Sequence, residues 1–248
     1  WFEVRILRKN TRKGWRSSYA KHIAPAFGDR LVAGITTTDI ETFRHKLVKR
    51  GLKANSINDK IMKPLQMCLL QAVRDKIIEE TPCKSIKRLE EQTVDIDPFS
   101  FKEVKVLLKH LKVNNPEVHD LVLVWLRTGL RPGEMMALKW SHVDWYNKKL
   151  MIRQTHHSSG EDGPVKTKSS NRDIDLVPVA IEALRRQKKR TGRLGGYIFM
   201  TEAKRAYSTE YMVKRFRILL GRANLRYRPP RQLRHTFASL HLGVGENI

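Results

Sequence analysis

Three short segments, far apart in the chain, carry residue types suited to holding an anion and to moving a proton. The first is Thr128-Gly-Leu-Arg-Pro-Gly-Glu134. An apolar run stops at Gly129, and Pro132 suits the first position of a new helix. Arg131 therefore falls at a helix junction, where backbone N–H groups and a planar guanidinium fork both favour an anion. Glu134 is placed to orient that fork. The plainer alternative is a turn with a surface arginine. The second segment, Val165-Lys-Thr-Lys-Ser-Ser-Asn-Arg-Asp-Ile174, lies on strands beside a turn. An ammonium carried there can protonate a leaving alkoxide if phosphoryl transfer occurs; the alternative is an edge strand protected by its charge. The third is Tyr227-Arg-Pro-Pro-Arg-Gln-Leu-Arg-His-Thr-Phe-Ala-Ser239. Arg231 and Arg234 are one helical turn apart and can share a face, while Leu233, Phe237 and Leu240 bury the other side. Eight Lys or Arg and no acid occur between Tyr211 and His235, so this run is more than a solvated face.

Composition narrows the partner. The 248 residues hold 49 Lys+Arg against 25 Asp+Glu, a formal charge of +24, with 40% hydrophobic residues. That is too apolar for a disordered basic tail, and both halves of the chain are positive. A polyanion is implied, nucleic acid first, because each neutralised phosphate releases counterions; a general cationic or RNA-binding protein is the competing class. Two cysteines, Cys68 and Cys83, exclude a disulfide framework and a zinc-ligand spacing. No apolar run approaches the roughly 20 residues of a membrane span, and the N-terminus is not a signal peptide. A cytoplasmic setting follows, and the lack of an initiator Met predicts residues upstream.

The elements that must position these groups are mostly helices. Residues 1–15 are a basic remnant or linker with a strand-like run at Phe2, Val4 and Ile6, and a helix is predicted over Ser17–Phe27. Thr38 and Glu41 read as a capping box before Ile40, Phe43 and Leu47, with Gly51 ending that helix. Asn55 or Ser56 opens another, striped by Ile57, Ile61, Leu65, Leu69, Ala72 and Val73, in which Pro64 should kink or interrupt the run. Cys68 lies near that stripe, so burial is expected. Residues 16–90 thus form a helical domain and 91–98 an acidic linker. Ser100 and Glu103 make a second capping box, and Leu121 to Leu126 belong to a core helix ending at Thr128-Gly129. From Lys149 the period changes to that of strands, with a turn from His157 to Gly163 and one or two strands between Val165 and Leu176. Helical spacing returns at 179–189, 208–223 and 231–242. His156 and His157 have no third ligand at metal spacing, and Trp140 and Trp145 read as core aromatics. The fold class is mainly α with a small antiparallel β-sheet.

Taken in order and at these separations, the three segments resemble the tyrosine recombinase (phage integrase) family. The resemblance covers residues 16–90 as a helical core-binding domain and 99–248 as an α+β catalytic domain. It implies that Arg131 and Arg234 hold the non-bridging oxygens of a scissile phosphate and stabilise a pentacoordinate transition state. Lys166 would be the general acid toward the 5′ hydroxyl, with Lys168 the competing choice; Glu134 and His235 would be accessory. A tyrosine attacks phosphorus to give a 3′-phosphotyrosine link, so neither metal nor other cofactor is needed. The implied partner is double-stranded DNA at a recombination site of a mobile or viral element, in the cytoplasm or nucleoid of a bacterial host. It would be gripped by a C-shaped clamp, with a tetramer on DNA when full-length.

Two departures accompany the resemblance. Where the family usually has His three positions before its second arginine, this chain has Arg231, a poor proton acceptor. None of Tyr19, Tyr146, Tyr197, Tyr207, Tyr211 or Tyr227 stands where the family's nucleophile does, so residues 1–248 alone are expected to bind DNA, as a monomer in solution, without cleaving it. Two rivals follow: an inactive DNA-binding or regulatory module, and a type IB topoisomerase-like enzyme.

Overall fold

Two hydrophobic cores, separate along the chain, divide it into one unit over Trp1–Val94 and another over Asp95–Ile248. The computed structural model describes residues 1–2, 5–91, 96–157, 160–165, 170–194 and 196–244, with side chains to Leu240. Among the described residues no helix is long and apolar enough to cross a membrane. The architecture is mainly helical with small antiparallel sheets.

In the first unit, α1 (Lys9–Ser18) passes through a π-helical turn, Tyr19–Ile23, into α2 (Ala24–Phe27). The helix predicted from Ser17 begins earlier, at Lys9; of the strand-like run, Phe2 and Ile6 are not in a strand, and Val4 lies outside the described residues. Trp15 anchors this helix. It is the buried residue of a helix otherwise covered in Lys and Arg, and it stacks on Trp1 at 6.0 Å. Next comes α3 (Thr37–Lys49), whose cap also corrects the sequence reading. Thr36 and Asp39, not Thr38 and Glu41, form the capping box. Both pairs have the required spacing, but Thr36 is the residue with extended backbone, at φ −97° and ψ 164°.

The following helix opens at α4 (Ala54–Ser56), one residue before Asn55, and continues through a π-helical segment, Ile57–Met62, into α5 (Lys63–Arg74). Pro64 neither breaks the helix nor ends it. The ladder slips by one residue instead, so the Lys63 N–H reaches back to the Asn58 carbonyl. The next bond in that register would need an N–H from Pro64, which has none. The carbonyl left over, that of Asp59, accepts the Trp15 indole N–H at 3.3 Å. Ile40, Phe43, Leu47, Ile57, Ile61, Leu65 and Leu69 share the core. Cys68, expected to be buried, is exposed, and Cys83 is the buried thiol.

The second unit is built around α7 (Pro116–Thr128), in which every residue from Asp120 to Leu126 is buried. It packs against α6 (Phe101–Asn114), α9 (Pro178–Thr191) and α11 (Gln232–Val244). Ser100 and Glu103 cap α6 reciprocally, as their spacing predicts. At the other end of α7, Gly129 takes the left-handed conformation, φ 58°, and the chain turns into α8 (Pro132–Met136). Three strands, β1 (Val143–Asp144), β2 (Lys149–Ile152) and β5 (Arg172–Asp175), form one antiparallel sheet in the order β1-β2-β5. A separate hairpin joins β3 (Gln154–His156) to β4 (Asp162–Pro164). The turn predicted over 157–163 is thus shorter than expected, because β4 begins inside it. Leu150 and Ile152 point into the core, with Ile174 opposite Leu150. The remaining helix is α10 (Thr209–Arg222), capped by Ser208.

Candidate active site

Arg131 stands between α7 and α8, where the left-handed turn at Gly129 brings the two helices together. A Cβ at Gly129 would lie 2.3 Å from the Phe237 ring, so α11 presses on this turn directly. Gly133 meets the same kind of demand, since a Cβ there would sit 2.4 Å from Thr155 Oγ1 and 2.9 Å from the His156 carbonyl. These two contacts seat the start of α8 between α11 and β3. Proline at the first helical position forms no backbone bond there, and the Arg131 backbone N–H donates to Glu134 Oε2 at 2.9 Å.

Glu134 is buried, with 3% of its side chain exposed, yet it serves two guanidinium groups. Arg131 Nη1 donates to Oε1 at 2.9 Å. Arg172 reaches both oxygens, Nη1 to Oε1 at 3.3 Å and Nη2 to Oε2 at 3.0 Å. Burial pushes the Glu134 carboxyl up, but the Arg172 fork, the Arg131 N–H and the Arg131 guanidinium outweigh it and hold it below the ordinary range. Ser170 closes the ring. Its hydroxyl accepts Arg131 Nη1 at 3.1 Å and its carbonyl accepts Arg172 Nη1 at 3.1 Å.

From a position 105 residues beyond Gly129, Arg234 on α11 enters the same place. Its Nη1 donates to the Gly129 carbonyl at 2.6 Å. Burial lowers its pKa first, and the neighbouring positive charges of Arg131 and Arg172 lower it further, against the pull of Glu134. Three guanidinium groups therefore surround one carboxylate, a net positive locus suited to an anion with several oxygens. The sequence reading passes over Arg172 and Ser170. Arg172 shares the inward face of β5 with Ile174, and that alternation was the available signal.

Arg131, Glu134 and Arg234 are thus brought together. Lys166 and Lys168 lie outside the described residues, which flank them with Val165 and Ser170. Arg231 is exposed and immediately precedes α11, rather than lying in its first turn; it borders a small apolar cleft with Pro132, Met136, Pro229 and Pro230. His235 is half-buried on α11. His156 is committed to Asp162, Nδ1 to Oδ1 at 2.8 Å, and Asp162 also takes Lys139 and the Tyr197 hydroxyl, each at 2.8 Å. That carboxylate fastens the β3–β4 hairpin to the body of its unit. Among the described residues no group of three or more His, Cys, Asp or Glu could hold a metal ion. Of the tyrosines, Tyr19 edges Phe2, Tyr207 is buried against Tyr211, Tyr211 accepts Arg215, and Tyr146 is exposed. Tyr227 lies beneath Arg217. Trp140 and Trp145 stack on each other at 6.3 Å against the core, as expected of them.

Comparison with known proteins covers this same region. The model of the phage integrase family matches residues 98–242. A tyrosine recombinase XerC-like protein of Caldanaerobacter subterraneus subsp. tengcongensis is 27% identical over 237 residues, covering 83% of this chain and 60% of that protein. Prophage integrase IntR of Escherichia coli (strain K12) is 27% identical over 254 residues, covering 87% and 61%. The chain therefore spans about three fifths of the length of these curated relatives. Among solved structures, the integrase of transposon Tn1549 in complex with transposon right end DNA superposes with a TM-score of 0.85 at 18% identity, over 99% of this chain and 84% of that one. A lambda integrase dimer bound to a COC′ core site gives 0.74 at 16% identity, over 97% and 82%. Both likenesses show the fold.

Proposed function

The chain belongs to the phage integrase family, and from that premise we propose that it serves a site-specific recombinase that cuts and rejoins DNA through a 3′-phosphotyrosine intermediate. The observation that carries the reading is the meeting of Arg131 and Arg234 at the Gly129 turn, with Glu134 beneath them. Two guanidinium groups at one locus match the non-bridging oxygens of a phosphodiester and the extra charge of its pentacoordinate transition state. The second unit is then the catalytic domain, and the helical first unit the core-binding domain.

In this reading Lys166 protonates the 5′ oxygen as it leaves, and Lys168 is the alternative donor. Ser170, two residues beyond Lys168 in the sequence, is bonded to Arg131, and that sequence neighbourhood is what supports giving the role to one of these lysines. Arg231 adds a phosphate contact at the start of α11 instead of a proton acceptor, and His235 supports the same helix. No residue of 1–248 is assigned the attack on phosphorus. Reaction energy stays in the phosphotyrosine bond, so no nucleotide cofactor enters the scheme. The partner is duplex DNA of a mobile element in a bacterial cell, and the assembly proposed for the full-length protein is a tetramer on paired sites.

A randomised pool of duplexes tests this. The chain should enrich one common sequence, and an Arg131→Ala/Arg234→Ala variant should stay folded while binding that sequence about a hundredfold more weakly, as two charge-assisted contacts are lost. Absence of enrichment, or undiminished binding by the variant, overturns the reading. The rival reading is a binding module without strand cleavage. Trapping of the full-length protein on a nicked copy of the enriched duplex separates the two, since a covalent adduct forms only if it is a recombinase.

A further inference from the structure

We propose that Arg172 is a positioning residue for Arg131, acting through Glu134 and Ser170 rather than by touching the phosphate itself. The inference rests on the site reading above and deepens it.

The argument begins with what a buried carboxylate demands. Glu134 has two oxygens to satisfy in a place almost closed to water, and an unpaired buried charge is costly. Were Arg131 its sole partner, the whole fork would be drawn inward to meet both oxygens. Arg172 removes that demand. It is the group that spans Oε1 and Oε2, while Arg131 contributes one nitrogen, Nη1, and its backbone N–H. Among the described residues none takes Nε or Nη2 of Arg131, whose side chain is 51% exposed against 29% for Arg172. The outer edge of the Arg131 fork is therefore left facing away from the carboxylate.

Arg172 is itself held hard. It pairs with Ile152 in the sheet, and its carbonyl accepts Arg153 Nη1 at 3.1 Å. Arg153 also bonds Asn171 Oδ1 at 3.0 Å and Asp173 Oδ1 at 2.5 Å. The same guanidinium that satisfies Glu134 grips the Ser170 carbonyl, and the Ser170 hydroxyl meets Arg131. A closed circuit of Arg131, Glu134, Arg172 and Ser170 thus joins the start of α8 to the end of the lysine-bearing segment. A rigid strand sets the direction of an exposed arginine by way of a buried acid. Lysine cannot replace Arg172 in this role, because a point ammonium does not bridge two carboxylate oxygens and a carbonyl in one plane.

Binding of a mixed-sequence duplex across a salt series tests the assignment, with folding of each variant followed by thermal unfolding. Each phosphate contact contributes about 0.9 to the slope of log K against log salt. Arg131→Ala should lower the slope by about that amount. R172Q and R172K should each do the same, and R131A/R172Q should fall no further than R131A alone. A double variant that loses twice as much would give Arg172 its own phosphate. R172K binding like the unaltered chain would reduce its role to charge. Either result, or an R172K and R172Q indistinguishable from the unaltered chain, overturns the proposal. R172K carries the test where R172Q does not fold. A slope unchanged in R131A brings down the site reading itself, and this inference with it.

Discussion

At the scale of single residues, the site depends on backbone geometry as much as on its arginines. Gly129 stops α7, holds a positive φ, touches the Phe237 ring and lends its carbonyl to Arg234. Gly129→Ala should therefore lose stability twice over. The left-handed conformation costs about 1 kcal/mol with a side chain present, and pushing the ring aside adds roughly 1–3 kcal/mol of overpacking. Urea unfolding should show a loss of about 2–4 kcal/mol, with phosphate affinity falling as Arg234 is displaced; a change below about 1 kcal/mol would mean that α11 yields easily. Arg131, Glu134 and Arg234 were legible in the sequence because each sits at a helix boundary marked by glycine or proline. For Arg172 alternation with Ile174 marks only the face it shares, while its role depends on sheet pairing with Ile152 and on a carboxylate 38 positions earlier. Long-range partners of that kind leave no local pattern.

At the scale of elements, the sequence announces helices well and their irregularities poorly. Ser100 and Glu103 were read correctly as a cap because their segment offers one such pair. Thr36 and Thr38 each have an acid three residues on, and backbone conformation rather than spacing decides between them. The β3–β4 hairpin was missed in part because Asp162-Gly163-Pro164 has turn composition. It is held by the bonds of Asp162 to Lys139, His156 and Tyr197 rather than by strand propensity. Pro64 is the instructive case. It shifts the ladder into a π-helical turn and leaves the Asp59 carbonyl to the Trp15 indole. Trp15→Phe should then cost about 1 kcal/mol beyond any packing loss, the worth of one hydrogen bond to a half-buried carbonyl. In a Pro64→Ala background residue 64 regains its N–H, the ladder can satisfy Asp59 by itself, and the same substitution should cost correspondingly less. A double-mutant cycle by thermal unfolding measures that coupling; additive effects would show that the indole and the proline are unrelated.

At the scale of the whole molecule, the two units differ in how they keep their carboxylates, and acid should separate them. In the second unit Asp120 on α7 is 1% exposed and binds Arg186 and Arg190 of α9. Burial pushes its pKa up, but His119, Arg186 and Arg190 outweigh that and bring it down to about 2. Glu134 and Asp162 are held low in the same way, by arginines in one case and by Lys139, His156 and Tyr197 in the other. A carboxyl with a depressed folded pKa contributes stability above its unfolded value and loses it as pH falls through the folded one. Asp120 alone should therefore withdraw about 2 kcal/mol between roughly pH 4 and pH 2. The first unit also holds Asp39 and Glu91 low, but their side chains are 31% and 39% exposed and solvent screens the pairs. Neutral histidines do not decide the order. His22 in the first unit and His142 in the second are each lowered, by burial first and then by neighbouring cations, so both units weaken as pH falls below about 6.5. Hydrogen exchange followed segment by segment should thus show the amides of α7 and α9 losing protection at a higher pH than those of α3 and α5. The reverse order would place the acid-sensitive pairs elsewhere. High salt should change this order little, since a carboxylate 1% exposed keeps its partners where mobile ions do not reach.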